Sequence, residues 1–379
     1  MAGYKIPFNK PFLGTEELEM VRRAIKTEQT TGDSFYGRKL REAMQKKLKV
    51  RYVLPTPSGT AALELAIMAL ELGSGDEVIL PSFNFASGAV AILRAGAKPV
   101  FVDIEQETFC LDPRLIEGAI APKTKAIMVV HYAGHACDMG AILKLVRKYN
   151  CRVIEDASHA IGAKYQGKYL GTIGDIGCYS FHGTKNIVTG EGGAFATNDE
   201  KIFRKAEIIR EKGTNHSAFI RGEIDKYSLV SLGSSYLLSD VLAAMAIAQF
   251  RKLDRISSLR ERHASHLLAK LADLKTKLQL PVVKSYADSN WHIFSLLVNS
   301  RKREKFIQFL KQAGIEASAH YLPLHSSPLG RKLGWAKLRL TNTDLVSQGI
   351  VRLPLYPDLT KEKLDYMVKK IHEAARKIL

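Results

Sequence analysis

The chain has 379 residues, 46% of them hydrophobic and 25% charged, with a formal net charge of +18; this is an ordinary globular composition over a length that calls for one large and one smaller domain. No apolar run approaches the roughly 20 residues of a membrane span, and the opening MAGYKIPFNKPF lacks the apolar stretch of a signal peptide. The four cysteines, Cys110, Cys137, Cys151 and Cys178, form no CxxC pair, so they read as free thiols in a reducing compartment, the cytoplasm, and no metal site is expected.

Short apolar runs alternate with helical patterns through the first two-thirds of the chain. YVLPT (52–56) leads into TAALELAIMALEL (60–72), EVILPS (77–82) into ASGAVAILRAG (86–96), KPVFVDI (98–104) into DPRLIEGAI (112–120) and KAIMVVHY (125–132) into MGAILKLVRKYN (139–150), before CRVIEDAS (151–158). The runs are β-branched and do not alternate apolar with polar residues, as strands buried on both faces require. An α/β fold is therefore expected, with a mainly parallel sheet between helix layers and right-handed crossovers. From Ser239 to Leu274 the pattern predicts one long helix free of proline and glycine. It would join a large domain (1–248) to a small α+β domain (249–379) containing HIFSLLV (292–298), REKFIQFLKQAG (303–314), IVRLPLYP (350–357) and a last helix. The positive charge is spread over helix-like stretches such as KLREAMQKKLK (39–49) and MVKKIHEAARKIL (367–379). Solvated helix faces account for it; attraction of a multiply charged anion into a cleft is the sharper reading.

Three segments place polar groups beyond strand ends, where open α/β sheets bind ligands. In PTPSGTAALELA (55–66), Gly59, Thr60 and Ala61 open a helix whose free N–H groups suit a phosphate, although Ser-Gly-Thr is also an ordinary cap. In VIEDASHA (153–160), Asp156 ends an apolar strand, as a cap, an ion pair or a carboxylate aimed at a cationic ligand atom, and His159 follows three positions on. In SFHGTKNIVTGEGG (180–193), Lys185 lies between small polar residues and glycines, close to the Ser180 hydroxyl, outside any Walker A pattern. A lysine confined in a cleft loses its proton more readily and becomes a nucleophile. Pyridoxal phosphate needs all three parts: an amine for its aldehyde, a carboxylate for its ring nitrogen and an anion site for its phosphate. Phe85, in PSFNFAS (81–87), is the candidate ring to stack on the pyridine, with a core position as the alternative.

These motifs resemble the DegT/DnrJ/EryC1/StrS sugar aminotransferases, which have the aspartate aminotransferase fold (fold type I) of the PLP enzymes. The likeness runs almost end to end, through SGTAALELA, GDEVILPSFNF, FVDI, VIEDASHAIGA, GDIGCYSFHGTKN, GEGG and HYLPLH. It is similar in particular to the TDP-4-amino-4,6-dideoxygalactose transaminases, through IIREKGTNHSAFIRGEIDKYS (208–228) and LGSSYLLSD (232–240). The resemblance implies that Lys185 bonds the cofactor's aldehyde and shuttles protons, and that Asp156 pairs with the ring nitrogen. Phe85 would stack, and Gly59, Thr60, Ala61 and Ser180 would hold the phosphate. His159 stands where relatives have a glutamine on the ring oxygen.

Many relatives read Gly-x-Asn-x-Arg-Met where this chain has Gly233, Ser234, Ser235, Tyr236, Leu237 and Leu238. Ser235 would thus face the cofactor of the neighbouring subunit in a homodimer with shared sites. Leu237 leaves a substrate carboxylate to be held elsewhere, with Arg221 and Lys226 as candidates. His320, Tyr321 and His325 would line the sugar–nucleotide mouth. The implied reaction takes an amino group from L-glutamate, by way of pyridoxamine phosphate, to C4 of a TDP-linked 4-keto-6-deoxyhexose, for cell-surface polysaccharide synthesis. UDP-, GDP- and 3-keto substrates are the alternatives. Relatives that dehydrate sugars have histidine in place of the lysine, so Lys185 argues against that chemistry. A basic nucleic-acid-binding protein is the rival class, and no helix-turn-helix, RNP or zinc pattern supports it.

Overall fold

The computed structural model describes residues 4–333, 336 and 339–379; the first three residues of the opening stretch lie outside it. Helices α1 (Thr15–Lys26) and α2 (Phe35–Leu48) precede β1 (Tyr52–Thr56). Then α3 (Gly59–Ala69), β2 (Glu77–Pro81), α4 (Ser87–Arg94), β3 (Lys98–Val102), α5 (Pro113–Ile116), β4 (Thr124–Val130), α6 (Met139–Tyr149) and β5 (Arg152–Asp156) alternate along the chain. Two-residue strands β6 (Lys164–Tyr165) and β7 (Lys168–Tyr169) lead to β8 (Ile176–Ser180) and β9 (Gly193–Thr197).

The main sheet has seven strands in the order β1-β9-β8-β5-β4-β2-β3. The pairs β2–β3, β2–β4, β4–β5 and β5–β8 are parallel, while β9 runs antiparallel to both β1 and β8. The expected α/β class with a mainly parallel sheet is the one observed. Two antiparallel steps leave β1 pointing the same way as β8, so the chain leaves β1, β2, β5 and β8 on one edge of the sheet. The pattern reading missed β8 and β9 because glycine, cysteine and alanine dilute their apolar signal. Gly177 is required in β8: a Cβ there would overlap the Gly171 carbonyl. Helix α3 is largely apolar, as burial against the sheet and against α4 and α7 (Glu200–Arg210) requires; its one acid, Glu64, accepts from Tyr236 Oη (2.6 Å) and pairs with Arg94 (3.2 Å).

The adjacent acids of β5 face opposite sides of the sheet. Glu155 is fully buried; its carboxylate accepts N–H bonds from Gly171 (2.7 Å), Ile173 (2.7 Å) and Gly174 (2.6 Å), and from His131 Nε2 (2.9 Å). This pins the turn before β8 under the strand whose last residue is Asp156. Glu155→Ala would leave those donors buried without an acceptor, so a loss of at least about 3 kcal/mol is expected. It is checked as a lowered urea midpoint with unchanged slope.

After the short α8 (His216–Ile220), the predicted single helix over 239–274 is instead two: α9 (Asp240–Arg251) and α10 (Leu253–Lys270), followed by a 3₁₀ turn at Ala272–Leu274. The two meet at Lys252, whose Nζ lies 2.5 Å from Glu17 Oε1 and donates to the Phe12 carbonyl (3.1 Å), tying the end of α9 to α1. Helix α9 packs into the large core, whereas Ala264, Leu267 and Leu271 join a second core with Phe294, Phe306, Leu310, Met367 and Ile371. That second core contains β11 (Phe294–Leu297) antiparallel to β12 (Ile350–Leu353), beyond the two-residue β10 (Ala287–Asp288). Fully buried Arg260 of α10 donates from Nη1 to the carbonyls of Trp291 (3.2 Å), His292 (3.2 Å) and Leu355 (2.9 Å). It ties the small core to the loop that carries His292. None of the described helices is long and apolar enough to cross a membrane, and all four cysteines are buried free thiols.

Candidate active site

The shared sheet edge opens into a cleft of about 620 Å³, whose wall includes Gly59, Phe85, Asp156, Ser180, Lys185 and Arg352. The first turn of α3 follows β1. Ser58 Oγ accepts from Ala61 N (3.0 Å), while the N–H groups of Gly59 and Thr60 precede the helix's own ladder. Thr60 Oγ1 meets Ser87 Oγ at 2.7 Å. Gly59 is needed for close approach, since a Cβ there would lie 2.8 Å from Ser180 Cβ. Ala61 is buried in α3 behind this turn.

Phe85 is 61% exposed along the cleft, with its ring 6.2 Å from that of Tyr321; the fully buried Phe83 takes the core position. Between them, Asn84 has a buried Nδ2 with no hydrogen-bond partner. Asp156 is buried; among the described residues its carboxylate accepts only the Ser158 N–H (3.1 Å), and it lines the cleft.

Lys185 sits on a loop closed by Phe181 N to Gly192 O and Gly183 N to Gly190 O, both 2.8 Å. Burial draws its ammonium down to about 8; the Asp156 carboxylate opposes this shift and the Arg352 guanidinium adds to it. In the cofactor-free protein, acylation of Lys185 followed by mass spectrometry is therefore expected to show a midpoint near pH 8. Asp156→Asn moves that midpoint down and Arg352→Gln moves it up.

Three histidines surround this amine, and burial holds all of them neutral: His159 and His292 well below the usual imidazole range, and His320 at about 2. Ala133 N donates to His159 Nδ1 (3.3 Å), which leaves the proton on Nε2 as a donor. Asn186 gives its amide N–H to Asn290 O (3.2 Å), so its Oδ1 accepts from His292 Nδ1 (2.9 Å) and His292 Nε2 is an acceptor. The two rings lie 4.6 Å apart. Tyr132 Oη lies 3.0 Å from His320 Nδ1, and the His320 ring stacks on Tyr321 at 3.8 Å.

Several candidates lie elsewhere. Arg221 is occupied by Glu207 (2.8 and 3.0 Å) and Glu223 (2.7 Å), outside the cleft. Lys226 is exposed away from it. His325 is not a lining residue: its Nδ1 meets Ser82 Oγ at 2.8 Å and its Nε2 meets Asp344 at 3.3 Å, so it anchors its own loop. Ser235 is exposed, bridged to Glu211, and outside its own chain's cleft. Sequence reading missed Asn84, His292 and Arg352. Arg352 did carry a signal, a lone charge inside the apolar run IVRLPLYP.

Pyridoxal phosphate fits these residues. The free N–H groups at the start of α3, with no room for a side chain at Gly59, make an anion cradle. The unpartnered Asn84 amide and the near-unpartnered Asp156 carboxylate add polar groups that the protein itself leaves largely unsatisfied.

The sequence profile of the DegT/DnrJ/EryC1/StrS aminotransferase family matches residues 11–372. The chain is 37% identical over 375 residues to the uncharacterized protein MJ1066 of Methanocaldococcus jannaschii, across 97% of this chain and 96% of that one. Among solved structures it is similar to Spr1654 of Streptococcus pneumoniae, a candidate sugar aminotransferase, in its PLP and PMP forms. In both, identity is 25% and the TM-score 0.92, over 99% of this chain and 100% of that one. It is also similar to S. venezuelae DesV, solved with a ketimine intermediate, at 27% identity and a TM-score of 0.92 over 100% of each chain.

Proposed function

Because this chain belongs to the DegT/DnrJ/EryC1/StrS aminotransferase family, we propose that it moves the amino group of L-glutamate to C4 of TDP-4-keto-6-deoxy-D-glucose, giving TDP-4-amino-4,6-dideoxy-D-galactose. At the coarser level it is a PLP-dependent sugar aminotransferase. The observation that carries the reading is the meeting of Lys185, Asp156 and the Gly59–Thr60 turn in one cleft. The choice of sugar rests on the stretches 208–228 and 232–240, and the +18 charge favours a diphosphate-bearing substrate.

When bound, pyridoxal phosphate supplies an aldehyde that takes up amines and a ring that accepts the electron pair left when a neighbouring C–H bond breaks. The N–H groups of Gly59 and Thr60, with Ser180, would hold its phosphate. The Asp156 carboxylate would keep a proton at the ring nitrogen, the His159 Nε2–H would donate to the ring oxygen, and Phe85 would pack against the ring. Lys185 Nζ would anchor the group and, once released by the incoming amine, take the proton from the donor's Cα and return it. Its lowered pKa makes part of the amine available as a base near neutral pH.

A homodimer with shared sites belongs to this reading. Ile220, Leu229 and Leu232 are 68, 75 and 85% exposed on the segment leading to Ser235, an apolar surface suited to a second copy. The test incubates the protein with glutamate and TDP-, UDP- and GDP-linked 4-keto and 3-keto sugars. Mass spectrometry seeks the aminated product, and NMR assigns its configuration. Amination of a UDP, GDP or 3-keto member in preference to the TDP sugar would replace the proposed substrate.

A further inference from the structure

The residue after the cleft lysine belongs to a buried hydrogen-bond network that reaches into the small core. Asn186 is buried and lies outside the cleft wall. Its amide donates to Asn290 O (3.2 Å) and accepts from His292 Nδ1 (2.9 Å). Asn290 is also buried and outside the wall. It donates from Nδ2 to the carbonyls of His159 (3.0 Å) and Ile161 (2.8 Å), and its Oδ1 accepts from His292 N (3.1 Å). Both polar atoms of each amide side chain thus have a partner, and the His292 ring lies 4.6 Å from the His159 ring. The network joins the neighbour of Lys185 to the main chain and the ring of His159.

The segment that carries the network is strained. Trp291, between Asn290 and His292, has a φ of +50°, where a bulky side chain is an outlier. Arg260 holds it there by donating to the carbonyls of Trp291 and His292 (both 3.2 Å). A Cβ on Gly134 would lie 1.8 Å from Asn290 Oδ1, so Asn290 seats only against a glycine. Strain of this kind persists where the surroundings over-determine it, and it clusters at functional sites. A buried polar network with every group satisfied specifies one arrangement, which apolar packing does less sharply.

We propose that Asn186, Asn290 and His292 are positioning residues that fix Lys185 and His159 relative to each other, an inference that rests on Lys185 being the group that moves the proton. Asn186 and Asn290 act from outside the cleft, and His292 acts through its Nδ1–H bond to Asn186. Lys185 hangs on a flexible stem and donates to no described partner, so where Nζ can reach depends on its Cα, and hence on Asn186. A misplacement of about 1 Å in such a transfer costs about 10²-fold in rate.

The test compares H292N, H292Q and N186A. Asparagine carries its N–H near the position of Nδ1 and glutamine near that of Nε2, so only H292N keeps the donor to Asn186. In the cofactor-free protein, hydrogen exchange of the loop amides 182–190 is expected to speed up at least about tenfold in H292Q and N186A and to stay close to wild type in H292N. In the PLP-loaded protein, kcat is expected to fall about 10–100-fold in H292Q and N186A while KM for glutamate changes less than about threefold, with H292N recovering part of the loss. The double variant N186A/H292Q should be no slower than the slower single one, because both remove the same bond. Wild-type kcat in N186A, H292N as slow as H292Q, or losses that multiply in the double variant would overturn the proposal. If N186A does not fold, the comparison of H292N with H292Q decides. The exchange measurement needs neither cofactor nor substrate. Loop exchange in the expected order, in a protein that takes no nitrogen from glutamate, upholds the network while removing the proposed reaction.

Discussion

Lys185→Ala is expected to lower steady-state transamination by about 10²–10⁴-fold. No neighbour can replace this amine. His159 and His320 are neutral and committed, through Nδ1, to Ala133 N and Tyr132, and the neutral His292 is a weak base. Folding should be little affected, because the substitution removes a desolvated ammonium that makes no hydrogen bond through Nζ among those described. The loop keeps its own closure through Phe181, Gly183, Gly190 and Gly192. Cofactor should still bind at the start of α3 and at Asp156, so a small primary amine in the buffer should restore part of the rate. Borohydride should fix cofactor to the wild-type chain at Lys185 and not to the variant. Undiminished turnover in the alanine variant would remove the proton-transfer role assigned here.

Asp156→Asn is expected to cost about 10²–10³-fold in kcat/KM. The amide oxygen still accepts the Ser158 N–H, so the local fold is retained and only the charge is lost. Two effects follow. The ring nitrogen loses the carboxylate that keeps it protonated, and Lys185 loses the anion that raises its pKa, so its basicity falls further. The second effect alone would shift the pH profile toward acid, whereas the first depresses the rate across the whole range. Measuring kcat/KM against pH separates them. A deficit smaller than about tenfold at every pH would contradict the assigned role of Asp156.

Strand-by-strand comparison shows which signals the chain carries locally. YVLPT is β1 residue for residue, and MGAILKLVRKYN is α6 with one residue more, because β-branched runs and helical periodicity are local properties. The break at Lys252 was not visible, because neither proline nor glycine marks it, and the partner its side chain meets, Glu17, lies more than two hundred positions away in the chain. The same distinction runs through the cleft. Lys185, Asp156 and the Ser58–Gly59–Thr60 turn announce themselves by local context: a lysine among glycines, a carboxylate after an apolar strand, a cap before a helix. Phe83 and Phe85 are indistinguishable in PSFNF, and only packing sends one to the core and the other to the cleft.

By itself, then, the sequence determined the α/β class, the alternation of strands and helices from β1 to β5 and the three chemical parts of the site, since each is written in neighbouring residues. Only the tertiary structure decided that β1 and β8 share an edge, that His159 is a neutral donor, that Arg221 and His325 have other partners and that Arg352 enters the cleft. Those outcomes depend on burial and on contacts between residues far apart in the chain, and neither quantity exists until the sheet and the second core have packed.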